Sequence, residues 1–221
     1  MEKKRLVLAM VFGVFVLVAC ATTGVEVLPG DIEKGIAVEK PVWNLGDTWT
    51  YKIVTVKSGE KKEIVRKRIV KEIVEEKGKM YYVVSEAQGK VNTCFDVNLN
   101  IKYGKDASGK IILHNMPSSL TFNWPLKVGK KWWGRFSWEP LGPDDPPYLD
   151  VTVEVVARES VVVMGKEITT FKLVERRYNP RGICLAEITW WYSPEIKNLV
   201  KWIDDRWYYQ TGELINFSLA H

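Results

Sequence analysis

The chain is poor in the side chains from which most catalytic and metal centres are built. Its 221 residues include three cysteines and two histidines, His114 and His221. A Ser-His-acid or Cys-His centre needs an imidazole beside its nucleophile, and structural zinc sites need clusters of Cys and His. The sequence shows neither pattern, and it has no phosphate-binding loop or glycine-rich nucleotide fingerprint. We therefore predict that the protein is not an enzyme and holds no metal or cofactor.

Long apolar runs are also scarce, and the one present is LVLAMVFGVFVLVA at residues 6–19. A bilayer-spanning helix needs about 20 apolar residues, so this run is too short to be a permanent anchor. It follows the basic residues Lys3, Lys4 and Arg5, an order typical of a secretory signal. Removing residues 1–19 takes away three basic side chains and one acidic one, which lowers the formal net charge from +5 to +3. So small an excess gives no reason to expect a nucleic-acid partner.

The apolar run ends in LVAC, residues 17–20, which resembles the lipobox of bacterial lipoproteins. The resemblance implies that residues 1–19 are removed as a signal peptide and that Cys20 becomes the acylated first residue. Two or more acyl chains suffice for stable attachment to a membrane. Ala21 comes next, where an aspartate would resemble an inner-membrane retention signal. We expect an extracytoplasmic, membrane-anchored lipoprotein, in the outer membrane if the host has one and otherwise on the outer face of the cytoplasmic membrane.

Residues 20–40 are predicted to be the acylated N-terminus and a flexible tether, because they are small and polar and lack helical or strand periodicity. Residues 41–221 contain no further low-complexity stretch, and one β-rich domain commonly reaches this length. We therefore predict a single β domain over residues 41–221.

Alternation of apolar and polar residues predicts strands throughout this domain. It is clearest at residues 49–53, 95–103, 151–157 and 186–192. Glycine-containing turns are predicted between the apolar runs at residues 58–60, 77–79, 108–110, 164–166 and 211–213. Val65, Ile69 and Ile73 have helical spacing, but the β-branched content of residues 63–77 favours one long strand. The predicted fold is all-β, a curved antiparallel sheet that forms an open barrel or sandwich of about ten strands.

The two halves of the domain, about 41–125 and 126–221, resemble diverged copies of one unit. Gly46 opens LGDTWTYK in the first half, and Gly129 opens VGKKWWGR in the second. Gly78 and Gly165 each lie in a predicted turn between two apolar runs. The apolar face of residues 95–103 is repeated 89 residues later at 184–192.

A resemblance to a module of uncharacterised bacterial envelope proteins covers about the last 100 residues. It rests on Gly165, on Phe171-Lys172 in TFK, on WYSP at residues 191–194, and on Val200-Lys201. The resemblance implies a curved antiparallel sheet, similar to envelope proteins that hold or shield lipid, and it brings no family activity with it. The chain departs from that pattern at residues 196–198, where the family usually has a glycine after the turn proline.

A barrel of about ten strands would be wider than the eight-stranded size that side chains just fill, so its interior is either plugged or hollow. We predict one set of residues on its inner face: Phe95, Leu99, Ile101, Val153, Phe171, Ile188 and Trp190. The predicted outer set is Asn98, Lys102, Glu154, Glu187 and Thr189. Within the inner set, the candidate ligand-binding residues are Trp190, Phe171, Ile188 and Phe95. Since neighbouring residues on a strand point to opposite faces, Trp191 and one of Trp132 and Trp133 should point outward or lie in a second interface.

Cys94 and Cys184 remain once Cys20 is acylated, and an even pair in an oxidising compartment would allow a disulfide. The register argues against it, because Cys94 shares the polar face of its predicted strand and Cys184 the apolar face of its own. The acidic pairs Asp144-Asp145 and Asp204-Asp205 are predicted to lie in turns or bulges. Calcium binding by the first pair is a lesser alternative.

Two functions from different classes remain open. The first is an assembly, scaffold or interaction module that uses the outer faces of the sheet to contact another envelope protein. The second is a carrier or chaperone that holds a hydrophobic ligand, a lipid or an acylated peptide, in an apolar interior. A third, minor alternative is a platform of exposed tryptophans that contacts sugars.

Overall fold

The structure is a computed structural model and describes residues 35–86, 89–143, 145–205 and 209–220. The predicted signal peptide, Cys20 and most of the predicted tether lie outside the described residues. The first seven strands are β1 (Ala37–Val38), β2 (Thr48–Lys57), β3 (Glu60–Glu76), β4 (Lys79–Glu86), β5 (Val91–Asp96), β6 (Ile101–Asp106) and β7 (Ile111–Met116). The next seven are β8 (Leu126–Lys127), β9 (Lys131–Glu139), β10 (Leu149–Val163), β11 (Lys166–Tyr178), β12 (Cys184–Ser193), β13 (Asn198–Asp204) and β14 (Tyr209–Ser218).

Twelve of these strands form one closed antiparallel barrel. Strands β2 to β7 follow one another around the ring in chain order, and so do strands β9 to β14. The ring closes where β14 pairs with β2 and where β7 pairs with β9, and β1 and β8 form a separate two-stranded sheet. The all-β prediction of a curved antiparallel sheet is confirmed, with twelve strands in the ring instead of about ten. Closure leaves the ring without an edge strand along most of its length. No described segment is a helix long and apolar enough to span a bilayer.

Three of the strand connections are two-residue turns in which both residues have positive φ. Such turns match the right-handed twist of a hairpin, and they favour glycine at the second position. They are Ser58-Gly59 (50° and 83°), Lys77-Gly78 (53° and 73°) and Met164-Gly165 (52° and 73°). The predicted turns at residues 58–60, 77–79 and 164–166 are thus confirmed, and the one at 108–110 also joins two strands, β6 and β7.

The strand predicted over residues 95–103 is wrong, because the chain turns back there between β5 and β6. Asp96 Oδ1 accepts the backbone N–H groups of Asn98 (2.9 Å) and Asn100 (3.0 Å), and Leu99 adopts a φ of 65°. An aspartate that binds the backbone two residues ahead is typical of turns. The alternation therefore spans a hairpin, although Phe95 and Leu99 are both buried as predicted.

The turn predicted at residues 211–213 is also wrong, because Gly212 lies within β14. There it pairs with Trp202 of β13 and Ile53 of β2. A Cβ atom at position 212 would lie 2.0 Å from Cζ2 of Trp202, so the absence of a side chain is what lets the indole lie against this strand. The glycine indicates close packing of a ring on the backbone.

The long strand predicted for residues 63–77 is confirmed as part of the 17-residue β3. Val65 is 64% exposed and Ile69 is 36% exposed, so these two residues with helical spacing do not form a core face. The buried position of this strand is Val70, which pairs with Val84.

The two halves of the ring share one hydrogen-bonding pattern beside their long strands. The N–H of Gly46 donates to the carbonyl of Val70 (2.9 Å), and the N–H of Gly129 donates to that of Val155 (2.8 Å). The pairing of β3 with β4 shifts register after Val70, and that of β10 with β11 shifts after Val155. Each half contributes six strands to the ring. Descent of the two halves from one unit stays a prediction.

One end of the barrel holds both the N-terminal described segment and the end of the chain. The buried carboxylate of Asp47 accepts the N–H of Asn44 on one oxygen and the N–H of Ala220 on the other, both at 2.8 Å. Trp43 donates its indole N–H to the carbonyl of Lys197 (2.7 Å). These bonds tie the segment that precedes β2 to the residues that follow β14 and to the turn between β12 and β13.

The predicted inner face is largely buried. Five of its seven residues are buried and two, Ile101 and Trp190, are half-buried. Among the predicted outer residues, Asn98 and Glu187 are exposed and the rest are half-buried. Of the tryptophans predicted to point outward or to lie in a second interface, Trp133 is 76% exposed and Trp191 is only 3% exposed.

Trp191 is buried because side chains of neighbouring strands cover it, which fits the alternative of a second interface. Its in-register neighbours are Lys172 and Lys201, and each ammonium lies 5.2 Å from the indole centroid. The indole N–H donates to Glu159 (2.6 Å). The aliphatic stems of lysines can cover an aromatic ring while their charged ends stay in water.

Candidate functional site

The barrel interior is partly filled by the plug segment, residues 117–125, which connects β7 to β8. The Asn100 side chain accepts the N–H of Phe122 (2.8 Å) and donates to its carbonyl (2.9 Å). The indole N–H of Trp132 donates to the carbonyl of Leu120 (2.7 Å). Leu120 packs against Gly134 so closely that a Cβ there would lie 2.5 Å from Cδ1 of the leucine. The plug segment is thus fixed to the inner side of β9.

The plug segment occupies a gap between two strands. β7 and β9 pair over only three positions, His114 to Met116 with Ser137 to Glu139. β9 continues to Lys131 with β10 as its strand partner on the other side. The plug segment therefore covers the part of β9 that β7 does not reach, and a depression lies on each side of it.

The larger depression is a cavity of about 490 Å³ inside the barrel. Its apolar wall consists of Ile101, Leu113, Phe136, Trp138, Pro146, Leu149, Leu185, Ala186 and Trp190. Four polar residues complete it: Asn115, Thr121, Asp145 and Arg177. An interior lined mainly by apolar side chains with a few polar groups is the usual composition of a small-molecule site, and the volume lies in the range of such sites.

The polar part of the wall is organised by the buried carboxylate of Glu175. Its Oε1 accepts Nε of Arg177 at 2.6 Å, and its Oε2 accepts the indole N–H of Trp190 (3.0 Å) and the hydroxyl of Thr121 (3.1 Å). Only 1% of the Glu175 side chain and 12% of the Arg177 side chain are exposed. A buried charge is stable only when it is paired and hydrogen-bonded, and both conditions are met here. The cluster, which we call the Glu175 cluster, joins the plug segment to β11 and β12.

The cavity lies at the end of the barrel opposite Asp47. β2 starts beside Asp47 and runs away from it. Near its other end, Thr55 pairs with Gln210 of β14. Gln210 pairs with Asp204, and Asp204 pairs with Ile188 of β12. The cavity residues Leu185 and Ala186 precede Ile188 and therefore lie still farther from Asp47.

The candidate ligand residues separate into two groups. Trp190 lines the cavity, whereas Phe171, Ile188 and Phe95 are buried and do not line it. Sequence reasoning missed the Glu175 cluster. The available signal was an acid and a base two residues apart, Glu175 and Arg177, on the same face as Phe171 and Leu173.

The other candidate residues form no second chemical centre. Cys94 is buried, Cys184 is exposed, and both are free thiols. Asp145 accepts the N–H of Gly142 (2.7 Å), and its neighbour Asp144 lies outside the described residues. Asp205 accepts the N–H of Glu187 (2.8 Å). Across the described ranges, no three His, Cys, Asp or Glu side chains form a group that could hold a metal ion.

Comparisons with known proteins give similarity in fold only. No family model and no curated protein matches the chain. One similar solved structure is a candidate exported protein with a YmcC-like fold from Bacteroides fragilis, with 13% identity, a TM-score of 0.43 and coverage of 83% of this chain and 100% of that one. A candidate lipoprotein from Parabacteroides distasonis has 11% identity, a TM-score of 0.43 and the same coverage. The hypothetical lipoprotein YmcC from Escherichia coli has 11% identity, a TM-score of 0.44 and coverage of 77% and 87%. These likenesses assign no function to the chain.

Proposed function

We propose that the protein is a non-enzymatic lipoprotein of the cell envelope, anchored through acyl chains on Cys20, that carries a hydrophobic ligand in its barrel. The cavity of about 490 Å³ is the observation that supports the carrier. Its apolar wall would hold a hydrocarbon portion by removing it from water, which contributes about 0.8 kcal/mol per CH₂ group. The Glu175 cluster would face the polar end of the ligand. A lipid or an acylated peptide has this combination of parts.

The first test identifies what the cavity contains. Residues 21–221 include every strand of the ring and lack Cys20, so we expect that this fragment is purified without detergent. Its organic extract is then analysed by mass spectrometry. We expect one class of amphiphile in near-stoichiometric amount. A fragment that carries no apolar compound and takes up no apolar dye would contradict the carrier.

Two tryptophans on neighbouring strands provide a matched test of the cavity. Trp190 lines it, whereas its in-register partner Trp202 is buried against Tyr51, with ring centroids 5.1 Å apart. Trp202→Ala should lower the free energy of unfolding by about 3 to 5 kcal/mol, as expected for solid core. Trp190→Ala should lower it by less than half as much and should change the uptake of N-phenyl-1-naphthylamine. A large stability loss at position 190 without an effect on dye uptake would exclude the carrier at this site.

The anchor is tested by the Cys20→Ser variant. We expect wild-type protein in the membrane fraction and the variant in the soluble fraction, because no acyl chain can then be attached. Cys184→Ser, which changes an exposed cysteine of the barrel, is the matched control and should leave the protein in the membrane fraction. Membrane retention of the Cys20→Ser variant would show that residues 1–20 were misinterpreted.

An interaction module is the second candidate because β3 exposes apolar side chains. Val65 and Ile69 are 64% and 36% exposed, and they alternate with charged residues along the strand. A protein that copurifies with the barrel while the cavity yields no amphiphile would favour this function over the carrier.

A further inference from the structure

A second depression, a cleft of about 340 Å³, lies on the other side of the plug segment. Three tryptophans line it: Trp124, Trp132 and Trp133. Asp96 and Asn98 of the β5–β6 turn and Asn123 of the plug segment contribute polar groups. The cleft opens where β9 lacks a strand partner on the side of β7, so it belongs to the surface of the barrel and not to the cavity.

Two of the three indoles are held in fixed orientations. The N–H of Trp124 donates to the carbonyl of Asn98 (2.9 Å), and that of Trp132 donates to the carbonyl of Leu120 (2.7 Å). Phe122 stacks on Trp124 with ring centroids 5.2 Å apart and an interplanar angle of 16°. With their N–H groups already bonded to the protein, these rings have only apolar surface left to offer a ligand.

Trp133 differs from the other two because it is 76% exposed. Tryptophan is a highly buried residue type on average, and so large an exposed ring is unusual on a soluble surface. It lies on β9 opposite Thr152 of β10. No described residue accepts its indole N–H, so both the ring face and the N–H are available to a ligand.

The polar groups of the cleft also have unused bonding capacity. Asp96 uses Oδ1 for the backbone of the β5–β6 turn, and within the described ranges no donor contacts its Oδ2. The side-chain amide of Asn98 is exposed and has no hydrogen-bond partner among the described residues. An amide can donate two hydrogen bonds and accept two, and a carboxylate oxygen only accepts.

We propose that this cleft binds a neutral carbohydrate. A sugar ring has an apolar face of C–H groups, which packs on an indole, and an edge of hydroxyls, which both donate and accept hydrogen bonds. The cleft offers this pair of features side by side, with Trp133 as the ring and Asn98 and Asp96 as the bonding partners. A purely apolar ligand would leave those polar groups desolvated and unpaired, which is unfavourable.

The charge of the cleft disfavours a strongly anionic polymer. Asp96 is a lining carboxylate, and the nearby ammonium of Lys130 is already bonded to the carbonyls of Asn123 and Pro125. Partial burial lowers the pKa of Lys130. Among the described residues that line this cleft there is no Lys or Arg side chain, so a polyphosphate or nucleic-acid backbone would find no cation in this lining.

The test uses the full-length protein in lipid nanodiscs, with empty nanodiscs as the blank. The probes are the soluble neutral oligosaccharides cellotetraose, chitotetraose and maltotetraose, and binding is measured by isothermal titration calorimetry. We expect at least one of them to bind. Trp133→Ala should weaken that binding about tenfold, a change near the upper end of what one aromatic contact contributes. Trp133→Phe should retain most of it, and Asn98→Ala should weaken it.

The control variant is Tyr209→Ala, which removes another exposed aromatic residue, on β14, and should leave sugar binding unchanged. Because Trp133 is so exposed, its alanine variant should unfold at the same urea concentration as the wild type, which separates loss of binding from loss of fold. Failure of all three oligosaccharides to bind would overturn the proposal, as would binding that Trp133→Ala and Asn98→Ala both leave intact. Either result leaves the proposed carrier untouched, since the cavity has different walls.

Discussion

Gly212→Ala is expected to be among the most destabilising single-methyl additions in the barrel. The added Cβ would lie 2.0 Å from Cζ2 and 2.2 Å from Cε2 and Cη2 of Trp202. The indole cannot simply move away, since Tyr51 packs against it edge-on and the Arg68 guanidinium lies 5.9 Å from its centroid. Overpacking of a filled core typically lowers stability by 1–3 kcal/mol, and we expect a loss of about 3 kcal/mol in urea unfolding.

Gly104→Ala is the matched control for this substitution. Gly104 also lies within a strand, β6, but a Cβ there would be 3.7 Å from Cβ of Leu113, an ordinary contact. Replacing a glycine at a compatible position stabilises a protein by about 0.4–1 kcal/mol, because the unfolded chain loses freedom. The double variant Gly212→Ala/Trp202→Ala should lose less stability than the sum of the two single changes, since the clash disappears with the ring. Equal effects of the two glycine substitutions would contradict the packing described for Trp202.

Glu175→Ala is expected to destabilise the barrel by about 3–5 kcal/mol, the loss typical when one partner of a buried ion pair is removed. Without the carboxylate, the Arg177 guanidinium stays largely buried with no counter-charge from Glu175. The indole N–H of Trp190 and the hydroxyl of Thr121 lose their acceptor as well. The plug segment would also lose its bond to β11, so dye uptake should change together with stability.

Glu187→Ala provides the comparison on the same pair of strands. Glu187 pairs with Arg176 at 2.8 Å, but the two side chains are 48% and 42% exposed. Exposed ion pairs contribute about 0–1 kcal/mol, so this variant should be almost as stable as the wild type. Urea unfolding of both variants measures the difference. A loss at position 175 no greater than that at position 187 would show that the Glu175 cluster does not hold the plug segment.

The strand content was predictable because it depends on local chemistry. Two features were interpreted correctly: the glycine at the second position of each two-residue turn and the β-branched residues along β3. Each of these features determines the backbone only within a few residues of itself. Residues 96–100 were misread because the alternation continues through a tight turn. Asp96, one of the polar residues of the pattern, accepts the backbone N–H groups of Asn98 and Asn100 and so stabilises that turn. The alternation is the same for a straight strand and for a hairpin, and only these bonds of the Asp96 side chain distinguish them.

The interior could not be predicted in the same way, since it depends on contacts between distant parts of the chain. The plug segment has no periodicity, and its position follows from Asn100 and Trp132, which bind it from two different elements. Trp191 was expected to point outward or to lie in a second interface because of its face on β12, but the sequence does not show that lysines of the two adjacent strands cover it. In the sequence, Gly212 likewise resembles a turn residue. Only the structure shows that the ring of Trp202 packs against it.

The bonds of Asp47 have a consequence for how the protein would meet a bilayer. They join the segment that leads back toward Cys20 to the residues that follow β14, at the pole of the barrel opposite the cavity. An acyl anchor at Cys20 would therefore attach the barrel by the pole that does not hold the cavity, and the predicted flexible tether would let the barrel rotate. Cargo would then enter or leave the cavity while the protein stays attached, and the tether would not obstruct its entrance.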